Sequence, residues 1–270
     1  MAEFSDDLQP MLDAADAMLA EGQAEEALIH LEKLSARFPD SPDLELLMGD
    51  ALFDLGDLEA CLECYDRAVE LDPDWSDARS ARANCLVELG RVQEAKSDVE
   101  AAIKQSSSNS QAHHVRGIVL ELCGQLRQAE EAYRTAARMD PEVYFEPVRV
   151  NRKVFDKAVK EAIKRLPDRF RDRMEGVDIY VKDLPSPEDN PDAPLSPLIM
   201  GAFDGYSLTE RRESDPWSQF PPRIYLYQRN IERVCATRTE LIEEIEVTLM
   251  HEVGHFFGLE EDDLDRIDLA

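Results

Sequence analysis

The chain has 270 residues, with 58 acidic against 30 basic side chains and a net charge of −28. So negative a field leaves nothing to neutralise phosphates at scale, which excludes nucleic acid as a general partner. The length suits one large or two ordinary domains, and 43% hydrophobic residues suffice to build their cores.

In chain order, the acidic opening Met1-Ala-Glu-Phe-Ser-Asp-Asp predicts no secretory signal, and no apolar run approaches a membrane span. A repeat follows. Gly22, Gly56, Gly90 and Gly124 stand 34 residues apart. Five residues after each comes a small side chain: Ala27, Cys61, Ala95, Ala129. Ala15 stands where the second and fourth units have Gly49 and Gly117, an expected deviation of a terminal repeat. Pro39, Pro73 and Pro141 close three of the units, where a second helix must stop. The pattern predicts four helical hairpins, at about 8–41, 42–75, 76–109 and 110–143. It resembles the tetratricopeptide repeat, which implies an α-solenoid over 1–143 whose groove takes peptides or partner helices.

Groove positions counted back from the turn glycines hold Asp43 and Asp77, then Asp50 and Asn84. The Lys and Asn carboxylate clamp of some family members is missing, since Leu12, Leu46, Ser80 and His114 occupy the fifth positions. The groove therefore reads as acidic and suited to a basic peptide or protein. His113 and His114 read as solvated or groove polar residues. Cys61 and Cys64 fall in the repeats and read as packing residues. The five cysteines have no disulfide spacing and predict a reducing, cytoplasmic setting.

The pattern changes at 144–270. Val150, Val154, Phe155, Ala158, Val159, Ala162, Ile163 and Leu166 mark an amphipathic helix with a basic outer face. Alternation predicts strands at Val177–Lys182, Leu198–Phe203 and Arg223–Gln228. A helix from Arg238 to Phe257 follows, opened by a Thr237/Glu240 capping box and stopped by Gly258. The order helix, strands, helix predicts a small α+β domain, so the fold class is α + (α+β).

That last helix carries His251-Glu252-Val253-Gly254-His255. Histidines four apart project from one helix face and can present two nitrogens to one zinc ion. Glu252 sits beside them, within reach of a water on the metal. The run His251 to Leu264 resembles the signature HExxHxxGxx(D/E) of the minimal zincin-like metallopeptidase family. Gly201–Gly205 and the Arg223–Gln228 strand resemble its sheet segments, so the likeness spans about 150–267. The resemblance implies zinc ligands at His251, His255 and Glu261, with Asp262 in reserve, and a general base at Glu252. Members often have serine where this chain has Glu260. Arg223–Gln228 is a candidate edge strand for substrate pairing, with Tyr225 or Tyr227 as an oxyanion donor. Two functions are open at this stage. One is a zinc metallopeptidase fed by the repeats. The other is an interaction scaffold with an inactive or zinc-stabilised zincin domain.

Overall fold

The structure is a computed structural model that describes residues 5–174, 176–186, 189, 196–209 and 221–259. The chain divides into two compact units, Met1–Phe145 and Glu146–Ala270.

The first unit is four helical hairpins. They are α1 (Ser5–Ala20) with α2 (Ala24–Ser35), α3 (Pro42–Asp54) with α4 (Leu58–Leu71), α5 (Ser76–Glu88) with α6 (Val92–Gln105), and α7 (Ser110–Leu122) with α8 (Leu126–Met139). Each turn glycine is left-handed, with φ between 72° and 78°, a conformation that costs a residue with Cβ. Close approach requires glycine at two further places. A Cβ on Gly49 would lie 2.4 Å from the Tyr65 ring, and one on Gly117 would lie 2.5 Å from Tyr133. The equivalent pairs in the other repeats are Ala15 with Leu31 and Ala83 with Val99, all four fully buried. Glycine thus faces tyrosine and alanine faces an aliphatic side chain, so volume is conserved across the contact. This corrects the expectation for Ala15, which answers a smaller partner rather than water.

The groove acids differ in state. Asp43 is exposed. Asp77 accepts a 2.9 Å bond from Asn109 Nδ2. Asp50 accepts from the Tyr65 hydroxyl at 2.6 Å. Burial pushes the Asp50 carboxyl up to about 6, aided by the charges of Asp54 and Asp16 and opposed by the Tyr65 bond. A carboxyl raised on folding costs stability above its folded pKa, and the cost fades as pH falls to its ordinary value near 3.8. Asp50→Asn is therefore expected to stabilise this unit at pH 7, by about 1–3 kcal/mol after allowance for solvent screening. The gain should vanish near pH 4, as urea denaturation at the two pH values would show. Of the two histidines, His113 is buried and its Nε2 lies 3.1 Å from the Ser107 carbonyl. His114 stacks on Tyr144.

The second unit starts with α9 (Arg152–Arg165), α10 (Asp168–Arg171) and β1 (Asp178–Lys182), continues through β2 (Gly201–Asp204), β3 (Arg223–Tyr227) and α11 (Gln228–Arg233), and ends with α12 (Arg238–Phe257). It is α+β, as expected. The three described strands run in the order β1-β3-β2, with β1 parallel and β2 antiparallel to β3. Ile224 and Leu226 point into a core shared with Phe155, Val159 and Leu166 from the α9 side and Ile245, Leu249 and Val253 of α12. The second strand is shorter than alternation predicts, beginning at Gly201 rather than Leu198. The α11 helix has no counterpart in the sequence reading, because six residues are too few to show a helical period. Glu232 of α11 is buried and ties this region together. Its carboxylate accepts from Val150 N–H at 3.1 Å and Gln228 Nε2 at 2.7 Å, and Arg149 lies 3.4 Å away. No helix among the described residues is long and apolar enough to cross a membrane.

Candidate metal centre

The α12 helix presents the motif because its start and stop are fixed. The Thr237 hydroxyl accepts from Glu240 N–H, and the Glu240 carboxylate accepts from the Thr237 N–H in return. Gly258 ends the helix in the left-handed region at φ 82°. Ile245, Leu249, Val253 and Phe256 bury one stripe of α12. This sets His251 and His255 half-buried beside that stripe, with Glu252 buried at 5% exposure.

The two imidazoles converge. His251 Nε2 and His255 Nε2 lie 3.0 Å apart, with the ring planes nearly perpendicular at 83°. Two nitrogens at about 2.0–2.1 Å from one tetrahedral zinc ion would stand about 3.3 Å apart, so the pair fits a shared metal. Among the described residues there is no group of three or more His, Cys, Asp or Glu that could hold one. Glu261 and Asp262 lie outside the described residues.

Glu252 packs where β2 crosses α12. A Cβ on Gly201 would stand 2.6 Å from Glu252 Oε1 and 2.9 Å from Thr248 Cγ2. The missing side chain at Gly201 leaves the room that the carboxylate occupies. Sequence alone does not single out Gly201 or Thr248 for this contact. The available signal is a glycine inside a strand, which marks close approach of another group. Gly201→Ala should displace the carboxylate while leaving both histidines in place. Zinc content should stay unchanged, and any peptidase rate should fall at least about tenfold.

The β3 strand takes a different place from the one expected. β3 is the middle described strand, hydrogen-bonded on both sides, so it cannot be the edge that pairs with a substrate. β2, beside Glu252, is an edge of the described sheet. Tyr225 and Tyr227 lie on the face of β3 opposite Ile224 and Leu226, and both are buried. The Tyr227 hydroxyl donates to Asp189 Oδ2 at 3.1 Å. Burial and the Asp189 carboxylate push the Tyr227 phenol well above its ordinary range, with a smaller contribution from Glu252. Burial works to raise Asp189 in turn, but Lys182, the Ser186 N–H and Tyr227 outweigh it and hold the acid below its ordinary value. Tyr225 stacks between Tyr180 and Tyr227, with the Lys182 ammonium 5.0 Å from its ring centre. The Tyr227 hydroxyl is thus engaged by Asp189, while Tyr225 packs within the ring stack.

Comparison with known proteins agrees with this layout. Residues 174–270 match the family model for zincin-like metallopeptidase. Residues 18–85 and 80–144 match two tetratricopeptide-repeat models. No curated protein matches the chain significantly. Similar solved structures include MamA 41-end from Desulfovibrio magneticus RS-1, at 25% identity over 50% of this chain and 76% of that one, TM-score 0.43. YrrB, a TPR protein with an unusual peptide-binding site, shows 25% identity over 48% and 67%, TM-score 0.42. TTC0263, a thermophilic TPR protein of Thermus thermophilus, shows 19% identity over 49% and 74%, TM-score 0.45. The chain joins a tetratricopeptide-repeat array to a zincin-like domain that matches the zincin-like metallopeptidase model over 174–270.

Proposed function

We propose that the second unit is a zinc-dependent peptidase and that the repeats recruit its substrate or partner. The convergence of two Nε2 atoms at 3.0 Å, next to a carboxylate seated against Gly201, is the observation that carries this reading. His251 and His255 would hold the metal, with Glu261 as third ligand and Asp262 as the alternative. When bound, zinc polarises a peptide carbonyl and acidifies a water. Glu252 takes the proton from the attacking water at its carboxylate and delivers it to the departing amine. An extended peptide can pair with the outer edge of β2, which brings its backbone beside Glu252. That assignment replaces β3 as the substrate strand.

For the repeats, the acids Asp43, Asp50 and Asp77, with Asn84 at the groove position equivalent to Asp50, support a basic peptide or protein as partner. Asp50 adds its charge above about pH 6. All five cysteines are free thiols, which suits a reducing compartment, and we assign the protein to the cytoplasm. The test pairs zinc content with cleavage, in the wild type and in Glu252→Gln. Stoichiometric zinc without cleavage by the wild type would favour the scaffold reading, in which the repeats are the working part.

A further inference from the structure

We propose that the groove between α9 and α12 is a second docking site. Its ligand is an extended peptide bearing a bulky apolar side chain flanked by carboxylates. The groove encloses a cavity of about 190 Å³. Val154, Phe155, Leu241 and Ile242 line its floor, and Lys157 and Arg238 stand exposed at its rim. Of the nearby acids, Glu161 pairs with Lys164 and Glu246 with Arg165, while Asp156 lies among the lysines of α9. The volume is below the about 300–1,000 Å³ usual for small-molecule sites, so it suits one side chain.

The charge around it is local and extended. The α9 helix holds six basic and two acidic residues in a chain of net charge −28. Lys153, Lys157, Lys160 and Lys164 share one face and, with Asp156 and Glu161 between them, line a shallow depression next to the cavity. Apart from Lys164, which pairs with Glu161, they spread over about 10 Å of helix axis, which calls for more than one anion along a strand rather than one compact ion. A solvated helix face accounts for the lysines alone but not for an apolar cavity opening beside them. A nucleic acid would supply phosphates as well, but the whole-chain field of −28 repels it. Ile242 precedes His251 by nine residues, about 14 Å along the helix, so this site is separate from the metal centre. It does not rest on zinc or on catalysis.

Selection of a random peptide library on the full chain tests this. The expected class carries Leu, Ile or Phe between Asp and Glu residues. A synthetic peptide of that class should lose at least about tenfold in affinity for Lys157→Glu/Arg238→Glu, and a similar amount for Ala158→Trp, which fills the cavity. It should bind normally to Asp43→Lys/Asp77→Lys, because those acids lie in the repeats. If the double variant melts early, Lys157→Gln/Arg238→Gln replaces it and should still weaken binding. Four results would each overturn the proposal: no enrichment of acidic-apolar peptides, binding that survives the groove variants, binding lost with the repeat variant alone, or a single-stranded oligonucleotide that displaces the peptide.

Discussion

Glu252→Gln is expected to keep its zinc and its fold while losing about a hundred- to ten-thousand-fold in peptide cleavage. Glutamine has nearly the volume of glutamate and fills the same space against Gly201 and Thr248, so packing is preserved. The two histidines that face each other at 3.0 Å are untouched, so metal affinity is preserved as well. What is lost is a carboxylate able to accept a proton from water and release it to the leaving amine. Metal analysis and mass spectrometry of a peptide mixture read the two properties separately. Cleavage at the wild-type rate would place the activity elsewhere or in a contaminant.

Glu232→Ala should strongly destabilise the second unit. The side chain is 1% exposed and serves Val150, Gln228 and Arg149 together. Removing one member of a buried charged cluster leaves the others desolvated without compensation, at a cost of about 3–5 kcal/mol. The effect concentrates here because this carboxylate joins the segment before α9 to α11, and β3 runs directly into α11. Denaturant melts of the full chain should show the loss in one of two transitions, with the repeats unaffected. A shift below about 1 kcal/mol would mean the cluster relaxes or admits water.

Much of the fold can be read from the residues, for identifiable reasons. The 34-residue spacing of left-handed glycines fixes the hairpins, since few other residues accept that conformation. The Thr237/Glu240 box and Gly258 bound α12 for the same local reasons. Strand order is not legible, because pairing is decided by contacts across the chain and not by alternation within a strand. That is why β3, the most apolar of the strands, reads as an edge and proves central. Its apolar character is what burial between two partners requires. The motif itself is plain, but Gly201 beside Glu252 is not, since a glycine in a strand does not say what approaches it. The meaning of Ala15 also needs its partner Leu31 in view.

The central claim is that His251 and His255 are aimed at a metal ion. Elemental analysis of the purified, dialysed full chain tests it most directly, with His251→Ala/His255→Ala as the control. The account predicts about one zinc per chain in the wild type and almost none in the control. Wild-type protein that stays metal-free after incubation with zinc, or a control that retains its zinc, would contradict it.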